Sequence, residues 1–130
     1  MRRGGKAVCR AVPVMGMSES NRGRIRALND ALRTQPPRND AGAKWLITQG
    51  VSDLGSDAVA EAIRAVRQFT AFTADNDPHG EHDFGSFEVA GERLFWKIDY
   101  YDRSLSGGSP DPAAESVTCR VLTIMLVLEY

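Results

Sequence analysis

The stretch TADNDPHGEHDFG, Thr73 to Gly85, gathers three aspartates, one glutamate and two histidines within thirteen positions. Such residues can hold a cation, move protons, or bond the backbone of their own loop. Spacing tests the first option. DNDPHG places Asp75 and Asp77 at the first and third positions of a calcium loop and Gly80 at the sixth, with Glu81 and Asp83 at the seventh and ninth. The match then breaks: His79 stands at the fifth position, and Ser86 replaces the bidentate glutamate required at the twelfth. A looser divalent site through Asp75, Asp77 and Asp83, or with His82 in the set, stays open. A transition-metal site through His79 and His82 would draw its ligands from one segment, whereas tetrahedral sites usually recruit several.

Acid/base work is the second option. Glu81, His82 and Asp83 could share it, because a carboxylate beside an imidazole orients the ring and favours its charged form. Asp99, near the end of WKIDYYD, could add a carboxylate. No activated nucleophile, phosphate-cradling glycine loop or cofactor fingerprint accompanies them. The third option is a loop knotted by its own hydrogen bonds, since Asp and Asn bond neighbouring backbone N–H groups and His ties to carbonyls. A surplus of negative charge there would still suit docking of a basic partner.

The elements that must position this loop read as follows. Ser18 to Thr34 fits a helix, with Ile25, Leu28 and Leu32 at helical spacing and Pro36-Pro37 closing it. Its other face carries Arg22, Arg24, Arg26 and Arg33, expected to be solvated. KWLITQGV, 44–51, fits a buried strand in which Gly50 marks a bulge or close approach. A second helix is expected from about Asp57 to Phe72, with Val59, Ile63, Val66 and Phe69 as its apolar stripe. Two strands, Ser86 to Val89 and Arg93 to Tyr101, flank an Ala90-Gly91 turn. The second alternates Leu94, Trp96, Ile98 and Tyr100 against Phe95, Lys97, Asp99 and Tyr101. After Asp111-Pro112, a closing helix from Ala113 to about Glu129 is expected, with Val117, Val121, Ile124 and Leu128 as its stripe. The predicted fold is a two-layer α+β domain over 18–130, ordered α-β-α-β-β-α, with a small antiparallel sheet of about three strands.

The chain has 130 residues and a net charge of −1. That balance hides a split: residues 1–38 hold nine Lys/Arg against two acids, and residues 39–130 hold seven against fifteen. No apolar run approaches the roughly 20 residues that span a bilayer. Cys9 and Cys119 form neither a disulfide framework nor a zinc pattern, so a reducing cytoplasm is the expected compartment. Residues 1–17 are expected to be disordered or a non-native leader, with Met17 as the start. Nucleic-acid binding through the Arg-rich helix is a weaker alternative, because that arm lacks aromatic residues for base stacking.

NDPHGEHDFGSFEVAGERLFWKIDYYD, followed by DPA and RVLTIML, resembles a family of short bacterial proteins catalogued as a domain of unknown function. The resemblance covers roughly Lys44 to Tyr130, and GEHDFG and FWKIDYYD carry it. It implies a small cytoplasmic accessory protein, often alphaproteobacterial or carried on mobile DNA, and brings no activity with it. An aromatic residue is common in the family at the position of His79, whereas Glu81, His82 and Asp83 match its pattern.

The leading expectation is therefore a non-enzymatic protein-interaction module. Asp75, Asp77, Glu81, His82, Asp83, Asp99, Tyr100 and Tyr101 would dock a protein with a basic surface, without cofactor or metal. A nucleic-acid-binding effector complex of host defence, of the restriction or CRISPR kind, is the partner that charge and genetic setting suggest. The alternative is a metal-dependent enzyme using Asp75, Asp77, Glu81, His82 and Asp83.

Overall fold

The computed structural model describes residues 19–130; the expected leader and Cys9 lie outside the described residues. Helix α1 runs Glu19–Thr34, strand β1 Ala43–Ile47, the single-turn helix α2 Gln49–Ser52 and helix α3 Ser56–Arg67. Strands β2 (Phe84–Val89), β3 (Glu92–Tyr101) and β4 (Cys119–Leu126) follow, with 3-10 turns at Glu115–Val117 and Val127–Glu129. The class is α+β, as predicted, but the sheet has four strands in the order β1-β4-β3-β2 and is mixed. β1 runs parallel to β4, while β4–β3 and β3–β2 are antiparallel. Among the described residues no helix is long and apolar enough to cross a membrane.

The expected closing helix is the main correction: 119–126 is a strand. CRVLTIML is apolar almost all round, so its pattern fits a buried helix as well as a strand enclosed on both faces. Eight residues, with Val121, Thr123 and Ile124 β-branched, satisfy the second better. Between β1 and β3 every backbone group of β4 can find a ladder partner, and six of its eight side chains are buried. Two smaller corrections concern helix and strand ends. The first strand stops at Ile47, and Gly50 sits in α2 rather than in a bulge. There a Cβ would meet Glu129 Oε2 at 2.7 Å, so the close-approach reading of this glycine holds. The second helix ends at Arg67, five residues short of Phe72.

The hairpin turn forms where expected, with Ala90 and Gly91 both at positive φ (55° and 78°), the requirement of a two-residue turn that follows strand twist. The ladder sorts side chains onto two faces. Ala43, Trp45, Gly85, Val89, Leu94, Trp96, Ile98, Leu122 and Ile124 face the helices and meet Leu32, Val51, Ala58, Ala62 and Val66. Each fully buried Leu or Ile there contributes about 1.5–3 kcal/mol. The opposite face has no helix over it among the described residues. It carries Leu46 from β1, Val121, Thr123 and Met125 from β4, Phe95, Lys97, Asp99 and Tyr101 from β3, and Phe84 from β2.

Candidate functional site

The acidic loop begins where α3 ends. Asn76 Oδ1 accepts from Thr73 N at 2.8 Å and Asn76 Nδ2 donates to Ala71 O at 2.9 Å, so the asparagine folds the entry back on itself. Asp77 then takes two backbone donors, Glu81 N at 3.0 Å and His82 N at 3.1 Å, on one carboxylate oxygen. Gly80 and His82 both have positive φ, 67° and 55°, and this double reversal is what turns both N–H groups towards Asp77.

His82 is held on three sides. Its Nδ1 lies 3.0 Å from both carboxylate oxygens of Asp30 on α1, and Nε2 lies 3.7 Å from Asp77 Oδ2. An ionised carboxylate only accepts, so Nδ1 carries the proton towards Asp30. The ring stacks flat on Phe72, with centroids 3.8 Å apart and planes within 2°. Arg33 completes this cluster: it donates to Asp30 at 2.8 Å, to Phe69 O at 2.8 Å and to Val66 O at 3.0 Å. Its guanidinium also sits over the rings of Phe72 and Trp96, at 5.2 and 5.5 Å.

A second network adjoins the first. Tyr100 OH donates to Glu81 Oε1 at 2.8 Å and accepts from Asn29 Nδ2, also at 2.8 Å. Asn29 Oδ1 accepts from buried Arg120 Nε at 3.0 Å, and the Arg120 guanidinium lies over the Tyr100 ring at 5.4 Å. Burial, reinforced by the charges of Glu81 and Asp83, pushes the Tyr100 phenol up, so the group donates a hydrogen bond and does not ionise. Asp83 stands beside this network. Burial first, then the charges of Glu81 and Asp77, push its carboxyl up to about 6.

Five of the eight predicted docking residues thus converge: Asp77, Glu81, His82, Asp83 and Tyr100 stand together between α1 and the sheet end. Asp77 is only 6% exposed and His82 25%. Asp75 is exposed at the loop, while Asp99 and Tyr101 lie on the helix-free face, where Asp99 pairs with Lys97. Within the metal set Asp77 spends one oxygen on two backbone N–H groups, His82 turns Nδ1 to Asp30, and Asp75 is exposed. Among the described residues no three His, Cys, Asp or Glu side chains stand together as a metal site needs. No Ser, Thr or Cys side chain bonds His82 among them either, and the cluster can hold a proton at Asp83.

The arginine face of α1 is solvated only in part: Arg24 is exposed and Arg22 and Arg26 half-buried, but three of the four arginines bond inward. Arg24 Nε donates to Ala113 O at 2.6 Å and Arg26 Nη1 to Gly80 O at 2.8 Å, and Arg33 is buried. Those side chains lie against backbone that leaves its helix or strand, whose carbonyls need donors. Asn29, Asp30, Arg33 and Arg120 are the site residues that sequence reasoning missed. A lone arginine inside CRVLTIML was the available signal, because a charge in an apolar run must find a buried partner.

The family match falls on this same unit. Residues 47–129 match the family described as protein of unknown function, DUF3768. The chain belongs to the DUF3768 family. Searches among curated proteins and among solved structures find no match. The matched span includes the acidic loop, β2, β3 and β4, whereas Asn29, Asp30 and Arg33 precede it.

Proposed function

We propose that this DUF3768 protein is a non-catalytic binding domain that docks a basic protein on the helix-free face of its sheet. The observation that carries this reading is an aromatic cluster left at the surface while the loop acids bond inward. Phe84 and Phe95 lie 4.8 Å apart, and Tyr130 covers Phe95 at 5.5 Å while remaining 76% exposed. Leu128 beside it is 91% exposed. Exposed rings around a partly buried centre are the composition of an interface anchor. Asp99 and Tyr101 on the same face retain the role expected of them, and Asp75 adds charge at the loop. The charge of the partner follows from the domain: residues 19–130 hold twelve Lys/Arg against seventeen Asp/Glu, a net of −5. Such a surplus steers basic surfaces towards this part of the chain. A host complex that grips nucleic acid in a basic channel is a partner of this chemistry, and its inhibition is the role proposed.

A photo-crosslinking residue at position 130, with one at position 61 on α3 as control, tests the docking face in extract of the native host. The expected result is a basic protein captured from position 130, absent from position 61, and lost when salt is raised. Equal capture from both positions, or none from 130 in a folded protein, overturns the reading.

A further inference from the structure

A cleft of about 90 Å³ opens on the other side of α1, away from the acidic loop, where three arginines from separate segments meet. Arg38 comes from the α1–β1 connection, Arg103 from the β3–β4 connection and Arg120 from β4 itself. Gly42 marks how close they are: a Cβ built there would stand 3.5 Å from Arg103 Nη2 and 3.6 Å from Arg38 Nη2. Glu115 and the apolar side of α1 at Leu28 complete the wall.

Each guanidinium is anchored by part of its donor set and keeps the rest. Arg38 gives Nε and Nη2 to Asp40, at 2.9 Å each. Arg103 gives Nε to Thr118 O and Nη2 to Glu115 O, at 3.1 and 2.8 Å. Arg120 gives Nε to Asn29 and Nη2 to Pro112 O. The three Nη1 groups have no hydrogen-bond partner among the described residues. Arg120 is 4% exposed and lines the cleft, while Arg38 and Arg103 beside it are exposed. An anion in the cleft would give the three spare Nη1 groups an acceptor.

The geometry points to a binding site for a terminal phosphate group, as inorganic phosphate or a small phosphomonoester, held by Arg38, Arg103 and Arg120. Three guanidiniums from three directions suit a tetrahedral oxyanion better than a planar carboxylate, which offers two oxygens. A cleft of about 90 Å³ has room for one phosphate group. Glu115 selects the protonation state. It lines the same cleft as the three arginines. A phosphate that keeps one proton donates it to Glu115, whereas sulfate at neutral pH has none and meets repulsion. This site is independent of the docking face.

Calorimetric titration of the folded domain with inorganic phosphate, phenyl phosphate and sulfate at pH 7 tests the site. One saturable site is expected for a phosphate ligand, with sulfate at least ten-fold weaker. The tighter of the two phosphates tells the free ion from the ester. Arg38→Ala, whose side chain bonds only surface Asp40, and Arg103→Lys, which keeps the charge but loses the planar fork, should each weaken binding at least ten-fold with an unchanged circular dichroism spectrum. Glu115→Gln should narrow the preference over sulfate. Absence of phosphate binding at millimolar concentration overturns the proposal, as do variants that bind as well as the parent. Equal affinity for sulfate overturns the role given to Glu115.

Discussion

Asp83 is the side chain whose environment most changes its chemistry. Its carboxyl titrates near 3.8 when exposed and is pushed up to about 6 in the fold by burial, then by Glu81 and Asp77. The folded state therefore holds a proton that the unfolded chain releases over that interval. The stability linked to it is complete below about pH 3.8 and lost as pH rises through about 6. Asp83→Asn removes the dependence. The variant should be more stable than the parent at pH 8, by up to about 3 kcal/mol, with the gain vanishing near pH 4. Urea unfolding at the two pH values measures it, and a gain of equal size at both would refute the assignment. The composition of GEHDFG already marks this stretch as chemically unusual. The direction its side chains take was hidden, because Asn29, Asp30 and Arg33 lie some fifty residues upstream and no local spacing connects them to the loop.

At the scale of elements, α3 and the loop after it are fastened to α1 by one buried cation. Arg33 supplies donors to Val66 O, which lies in the last turn of α3 and also accepts from Phe69 N at 3.3 Å, and to Phe69 O just beyond the helix. Arg33→Ala should cost about 1–3 kcal/mol, because it takes the donor from Phe69 O and removes the cation beside Asp30. Arg33→Lys should recover only part of this, since an ammonium cannot reproduce the fork or the stacking on Phe72 and Trp96. Gly85 fixes the neighbouring strand. A Cβ there would meet Phe69 Cζ at 2.6 Å and the indole nitrogen of Trp96, so Gly85→Ala should destabilise by about 1–3 kcal/mol or more. Thermal melts of the three variants check these values, and a neutral Gly85→Ala would mean that Phe69 yields. Helices α1 and α3 and the β2–β3 hairpin were legible because period and punctuation agree there. β4 was not. Its apolar residues satisfy a helical stripe and a doubly buried strand alike, and only the presence of β1 and β3 on either side decides between them.

At the scale of the molecule, the sheet depends on a pairing between strands far apart in the chain. β1 is bonded in the sheet only to β4, pairing Ala43 with Arg120 and Ile47 with Ile124 across most of the chain length. Loss of β4 should therefore release β1 as well, and with it Trp45. A chain ending at Thr118 is expected to show no cooperative unfolding transition and no slowly exchanging amides in 43–47; protected amides there would show that β1 docks on its own. The same arrangement has a consequence for biosynthesis. On the ribosome, β1 emerges well before β4, the strand it pairs with. Until β4 has emerged, Trp45 and Ile47 stay available to any bystander, so the cell gains by shielding this protein while it is translated or by making it slowly enough that few copies meet.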